Sequence, residues 1–170
     1  MTKRMIILLL AIGIAGRSQA AKGVAEIKGT ADNSPLGTVT LEDTADGLKI
    51  NVQLAGVPPG PHAFHIHEFG SCLDMGKAAG SHYNPLSMPH GQVMKDGIHH
   101  AHAGDLGNIT VAADGSATLE AVIRGISLTG SPYDVAGRAV VLHEKVDDFS
   151  QPAGNAGGRI GCGTIIITGH

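Results

Sequence analysis

The sequence contains no tryptophan and only two tyrosines and three phenylalanines in 170 residues. Any core must therefore be filled by Val, Ile, Leu and Ala. Basic runs are missing as well, with twelve Lys and Arg against fifteen Asp and Glu and a formal charge of −3. A polyanion partner such as nucleic acid is excluded on this ground, because affinity for it comes mainly from cationic neutralisation of phosphates. Long apolar runs are scarce too. The longest, Met5 to Ala15, is shorter than the about 18 to 20 residues needed to span a bilayer, so no membrane span is expected.

That run has another use. Lys3 and Arg4 precede it and Ser18-Gln19-Ala20 follows, placing small residues where a signal peptidase reads. Residues 1–20 are expected to be a signal peptide cleaved after Ala20, leaving one domain, 21–170, exported to a periplasmic or extracellular space. Losing Lys3, Arg4 and Arg17 takes twelve basic residues to nine against fifteen acidic ones, a formal charge of −6. Cysteine occurs twice, as Cys72 and Cys162. In an exported chain an even count reads as one disulfide, and closing so long a loop stabilises the fold by about 4 to 5 kcal/mol on the chain-entropy model.

A sustained helical period is also absent, and short runs of period two take its place. Leu48, Ile50, Val52 and Leu54 alternate with Lys49, Asn51 and Gln53, the pattern of a half-buried strand. Further strands are expected at Val24–Lys28, Leu36–Glu42, through His62–His67, at Asn108–Ala112, Ala117–Ile123, Arg138–Glu144 and Arg159–Thr168. Two irregular stretches, from Gly70 to Gly107 and from Asp147 to Gly158, interrupt them. The fold class expected is all-β, a Greek-key sandwich or barrel of about eight antiparallel strands with two long functional loops.

Nine of the ten histidines lie between residues 62 and 143. In an extended strand His65 and His67 share a face, with Phe64 and Ile66 on the other. Buried histidines bonded to backbone are the ordinary explanation for one such residue, but not for nine. The first irregular stretch is too long to be held by a hydrophobic core alone, and a metal would staple it. His82, His90, His102 and Asp105 supply the three nitrogens and one oxygen that suit a tetrahedral zinc. His65, His67 and His143 supply three nitrogens of a copper site that needs a fourth.

The segments HAFHIHEFG, AGSHYNP, HAGDLGN, VVLHEKVDD and GNAGGRIGCG occur in this order. In that order the chain resembles the copper,zinc superoxide dismutases, exported bacterial type, from about residue 22 to 168. The resemblance implies copper on His65, His67, His82 and His143, and zinc on His82, His90, His102 and Asp105, one ion of each per chain, with the His82 imidazole shared. It implies that Asp147 accepts hydrogen bonds from His65 and His90, and that Arg159 stands beside the open copper position with Lys145 nearby as an electrostatic guide. Cys72 and Cys162 would form the family disulfide. The implied activity is dismutation of superoxide to dioxygen and hydrogen peroxide, with His82 and Arg159 as the catalytic residues, protecting the extracytoplasmic space. A non-catalytic copper and zinc binding or delivery protein on the same fold is the alternative, which would dispense with Arg159 and an open copper position. His62, His99, His100 and His170 match no ligand position, although the HHAH run allows His99 or His100 to displace His102 in the zinc set. Asn108-Ile109-Thr110 is a glycosylation sequon at a strand start. The sequence is compatible with a monomer and with a homodimer.

Overall fold

The computed structural model describes residues 19–169. The expected signal peptide lies outside the described residues except for Gln19 and Ala20. Nine strands follow: β1 (Lys22–Gly29), β2 (Pro35–Thr44), β3 (Gly47–Leu54), β4 (Gly60–His67), β5 (Asp105–Val111), β6 (Ala117–Ile123), β7 (Ala139–His143), β8 (Arg159–Thr164) and β9 (Ile166–Gly169). Their pairing is antiparallel, in the order β5-β4-β7-β8-β1-β2-β3-β6, with β9 on β1. β5 and β6 lie against each other at the remaining gap, so the sheet is a nearly closed barrel. The connections β3 to β4 and β6 to β7 cross between the two halves, as in a Greek key.

Alternation along each strand decides what fills the interior. Leu48, Ile50, Val52 and Leu54 of β3 point inward with Val39 and Leu41 of β2, Phe64 and Ile66 of β4, and Val140 and Leu142 of β7. Burying a side chain of this size contributes about 1.5 to 3 kcal/mol. β4 is buried on both faces from His62 to His67, as its neighbour β7 is from Ala139 to His143. One face is this core. The other, carrying His65 and His67, lies under the long loops.

The irregular stretch 70–107 is tied to β4 by main-chain hydrogen bonds. Glu68 N donates to Ser81 O, Phe69 N to Ala79 O and Tyr83 N to Ile66 O, each at 2.9 Å, which brings His82 opposite His67. Two short helical turns, Lys77–Ala79 and Val93–Asp96, lie within it. β5 starts at Asp105, three residues earlier than the apolar pattern suggests. The expected final strand is divided at Ile165, whose N–H donates to Arg138 O and whose carbonyl accepts from Gly137 N. Ile165 is fully buried, and this detour lets β9 leave β8 and pair with β1.

Candidate metal centre

The rings converge because three elements point at one space. β4 supplies His65 and His67, the end of β7 supplies His143, and the first loop supplies His82, His90 and His102 with Asp105 opening β5. Among the described residues two groups of four have ligand atoms within 4.8 Å of one another. One is His65, His67, His82 and His143, the other His82, His90, His102 and Asp105. His82 is common to both. His62 lies apart, between the carbonyls of Pro58 and His143 at 2.8 Å each. His99 and His100 are exposed and belong to neither group, and His170 is outside the described residues.

Hydrogen bonds to the far nitrogen of each ring select its tautomer. His67 Nδ1 donates to Gly80 O at 3.0 Å, so its Nε2 carries the lone pair. His65 Nε2 and His90 Nε2 donate to the two oxygens of Asp147 at 2.9 and 2.8 Å, so their lone pairs are on Nδ1. Neither of these buried Nδ1 atoms has a hydrogen-bond partner, and His143 turns its Nε2 to within 3.3 Å of His67 Nε2. His90 Nδ1 is 2.8 Å from Asp105 Oδ2 but out of line for a hydrogen bond. The two atoms are turned toward a common point, as two ligands of one cation are. A buried polar atom left without a partner costs about 1 to 3 kcal/mol, and a lone pair facing inward among others is satisfied by a metal ion. Imidazole with one carboxylate suits zinc, and an all-imidazole set suits copper. The donor sets fit both.

The electrostatics agree. Burial pushes the His65 ring down from its ordinary pKa. Burial, with the nearby Arg159 and His82 charges, takes His67 down to about 2. Burial with His65 and His82 takes His143 down to about 3. These rings are neutral at neutral pH, the form that binds a metal. For His90, burial opposes the charged form, but the Asp105 carboxylate 2.8 Å from Nδ1 and the Asp147 carboxylate bonded to Nε2 outweigh it and raise the ring to about 9. Burial likewise opposes charge on Asp105 and Asp147, yet bonds from His102 and His82 with the close His90 ring on the first, and bonds from His65 and His90 on the second, hold both well below the usual carboxylate range.

A cleft of about 720 Å³ opens onto this cluster, lined by His67, His82, His143, Ala153 and Arg159 among others. Arg159, at the start of β8, donates from Nη1 to Gly76 O at 2.5 Å and from Nη2 to Gly80 O at 2.6 Å. The Cys72–Cys162 disulfide, with Cα atoms 5.7 Å apart, ties the Gly76 loop to the strand that starts with Arg159. Lys145 is exposed beside the cleft wall, its stem near Gly157.

Three residues escape a reading of the sequence. Asn108 binds the main chain of Asp147 on both sides, donating from Nδ2 to its carbonyl at 3.0 Å and accepting its N–H at 2.7 Å. The sequon drew attention to Asn108, but this side chain is engaged within the protein. Phe149 stacks on the His90 ring, with centroids 6.3 Å apart and planes 22° from parallel, and Gln151 binds the His90 main chain. No local motif marks either.

Residues 36–165 match the family model described as copper/zinc superoxide dismutase (SODC). The chain is 37% identical over 175 residues to the extracellular superoxide dismutase [Cu-Zn] of Caenorhabditis elegans, covering 96% of this chain and 77% of that protein. Among solved structures it is similar to a SOD-like protein from Bacillus subtilis, at TM-score 0.73 and 34% identity over 82% of this chain and 95% of the other. It is also similar to a double mutant of a SOD-like protein from that organism in which a tyrosine and a proline are replaced by histidine, at TM-score 0.75 and 34% identity over 84% of this chain and 96% of the other. With the barrel, the convergent histidines and these matches together, the chain belongs to the copper/zinc superoxide dismutase family and is an oxidoreductase of that kind.

Proposed function

We propose that this protein is an exported enzyme that dismutes superoxide to dioxygen and hydrogen peroxide at a copper centre joined by His82 to a zinc. The observation that supports this reading most is the membership of His82 in both four-residue groups. Its Nδ1 is 2.8 Å from Asp105 Oδ1, so the zinc group takes that nitrogen and Nε2 is left for the group of His65, His67 and His143. Copper, when bound, supplies the one-electron exchange with superoxide, and zinc withdraws charge from the shared ring.

The chain's own residues do the rest. His65, His67 and His143 have little rotational freedom, because burial on the β4 and β7 face and the bonds to Asp147 and Gly80 hold them. Arg159 presents a guanidinium at the cleft, always charged and able to offer two parallel N–H groups to a small anion. His82 Nε2 is the atom at which a proton for the peroxide product is held. Asp147 orients one ring of each group at once, so it couples the two halves of the centre. An even pair of cysteines joined as a disulfide and a leader-like start support export to a periplasmic or extracellular space.

Metal analysis of the purified chain with a dismutation assay tests the proposal. We expect one copper and one zinc per chain, and activity lost on copper removal and regained on its return. A copper-loaded, zinc-loaded chain that fails to dismute superoxide would leave a binding protein and remove the enzyme.

A further inference from the structure

The second loop, 144–158, grips one histidine from three directions. Asp147 Oδ1 accepts from His90 Nε2 at 2.8 Å. The Phe149 ring, 42% exposed, lies over the His90 ring and separates it from solvent. The Gln151 side chain closes on the His90 peptide groups, its Oε1 accepting from His90 N and its Nε2 donating to His90 O, both at 2.9 Å. Gln151 thus uses an acceptor and a donor of its amide on a single residue 61 positions away. A loop that merely needed to cover the barrel would satisfy its polar groups locally or with water. This one fixes the position and the tilt of a candidate zinc ligand.

We propose that Gln151, roofed by Phe149, is a positioning residue that latches His90 and sets how fast zinc leaves the site. This rests on the reading of His82, His90, His102 and Asp105 as a zinc site. His90 connects Asp105 to Asp147, so zinc departs only when this ring swings away, and ring and main chain are held together. Groups that orient a metal ligand from behind are typically worth about 10- to 100-fold in metal affinity.

The test is the rate of zinc transfer from the metal-loaded full chain to a chromogenic chelator, with copper release measured in parallel. In Gln151→Ala we expect zinc to leave about tenfold faster with copper release changed less than twofold, since Gln151 bonds to His90 and to no histidine of the copper group. Gln151→Glu keeps the shape and the acceptor for His90 N but loses the donor to His90 O, and is expected to fall between the two. It also serves if the alanine variant folds poorly. A purely supporting role would lower the melting temperature of the metal-free chain as much as that of the loaded one. The latch lowers the loaded one more. Unchanged zinc release in both variants, or equal acceleration of zinc and copper, overturns the latch. Failure of the unaltered chain to retain any zinc overturns the zinc site itself, a different result that is read before any variant is made.

Discussion

Arg159 shows how one side chain is held ready. Its guanidinium donates to the carbonyls of Gly76 and Gly80, the second of which also accepts from His67 Nδ1. One carbonyl therefore orients both the cation and a ring of the metal cluster. In a chain whose acidic residues outnumber its basic ones, the local positive field at the cleft comes from this group, and metal ions held at the proposed sites would add to it. Arg159→Ala is expected to leave metal content unchanged, to slow dismutation about tenfold, within the range found for loss of electrostatic steering, and to weaken inhibition by a small anion such as azide. Arg159→Lys keeps the charge without the fork and should lie between. Rates from stopped-flow superoxide decay, with and without azide, check this, and unchanged azide inhibition in the alanine variant would remove Arg159 from the anion site.

At the scale of elements, the strands and the loops were legible to different degrees, for a physical reason. Strand β3 announces itself by alternation, and His65 and His67 share a face simply because they are two apart. His90, His102 and Asp105 could be gathered by ligand chemistry from a stretch too long to lack a staple. The break at Ile165 could not, because it depends on hydrogen bonds to Gly137 and Arg138, which pair with it only once β7 and β8 are adjacent. Asn108 and Gln151 were hidden in the same way, since each acts through main-chain groups 39 and 61 residues distant. The second loop adds a steric condition that spacing does not reveal. Gly154 has φ +71°, and a Cβ there would meet Asp147 Oδ1 at 1.8 Å and His90 Nε2 at 2.7 Å. The loop closes over the carboxylate only because residue 154 has no side chain. Gly154→Ala is expected to cost about 2 kcal/mol from strain and the left-handed backbone together, and to reduce zinc and copper retention jointly, because Asp147 holds one ring of each group. Metal stoichiometry and a urea melt of the variant test this. Normal occupancy of both metals would show that the loop can move away without disturbing Asp147.

For the whole molecule, the centre is an assembly of buried charges and neutral rings whose protonation is linked to folding. His67 and His143 are held near about 2 and 3, as against 6.5 in the free group. Below pH 6.5 an unfolded chain takes up protons that the native rings refuse, so their contribution is present above that pH and fades as pH falls toward 3, by about 1.4 kcal/mol per unit for each ring. Asp105 and Asp147, held low, add a further loss below about 4. His90 has the opposite sign. Its folded value of about 9 means that the native chain keeps a proton which an unfolded chain gives up above 6.5, so its contribution is complete below 6.5 and is lost as pH rises through 9. The metal-free chain is therefore expected to be most stable close to pH 6.5, with urea midpoints lower at both pH 4.5 and pH 8.5. Zinc is expected to act mainly on the alkaline limb. At the proposed site zinc would require the His90 lone pair and expel that proton, so binding is expected to strengthen as pH rises toward 9 and to replace what the proton supplied. Adding zinc should restore the midpoint at pH 8.5 by more than at pH 4.5, where the proton competes with the ion for the same nitrogen. A metal-free midpoint that climbs steadily to pH 8.5, or a zinc effect independent of pH, would mean that His90 does not exchange its proton for the metal.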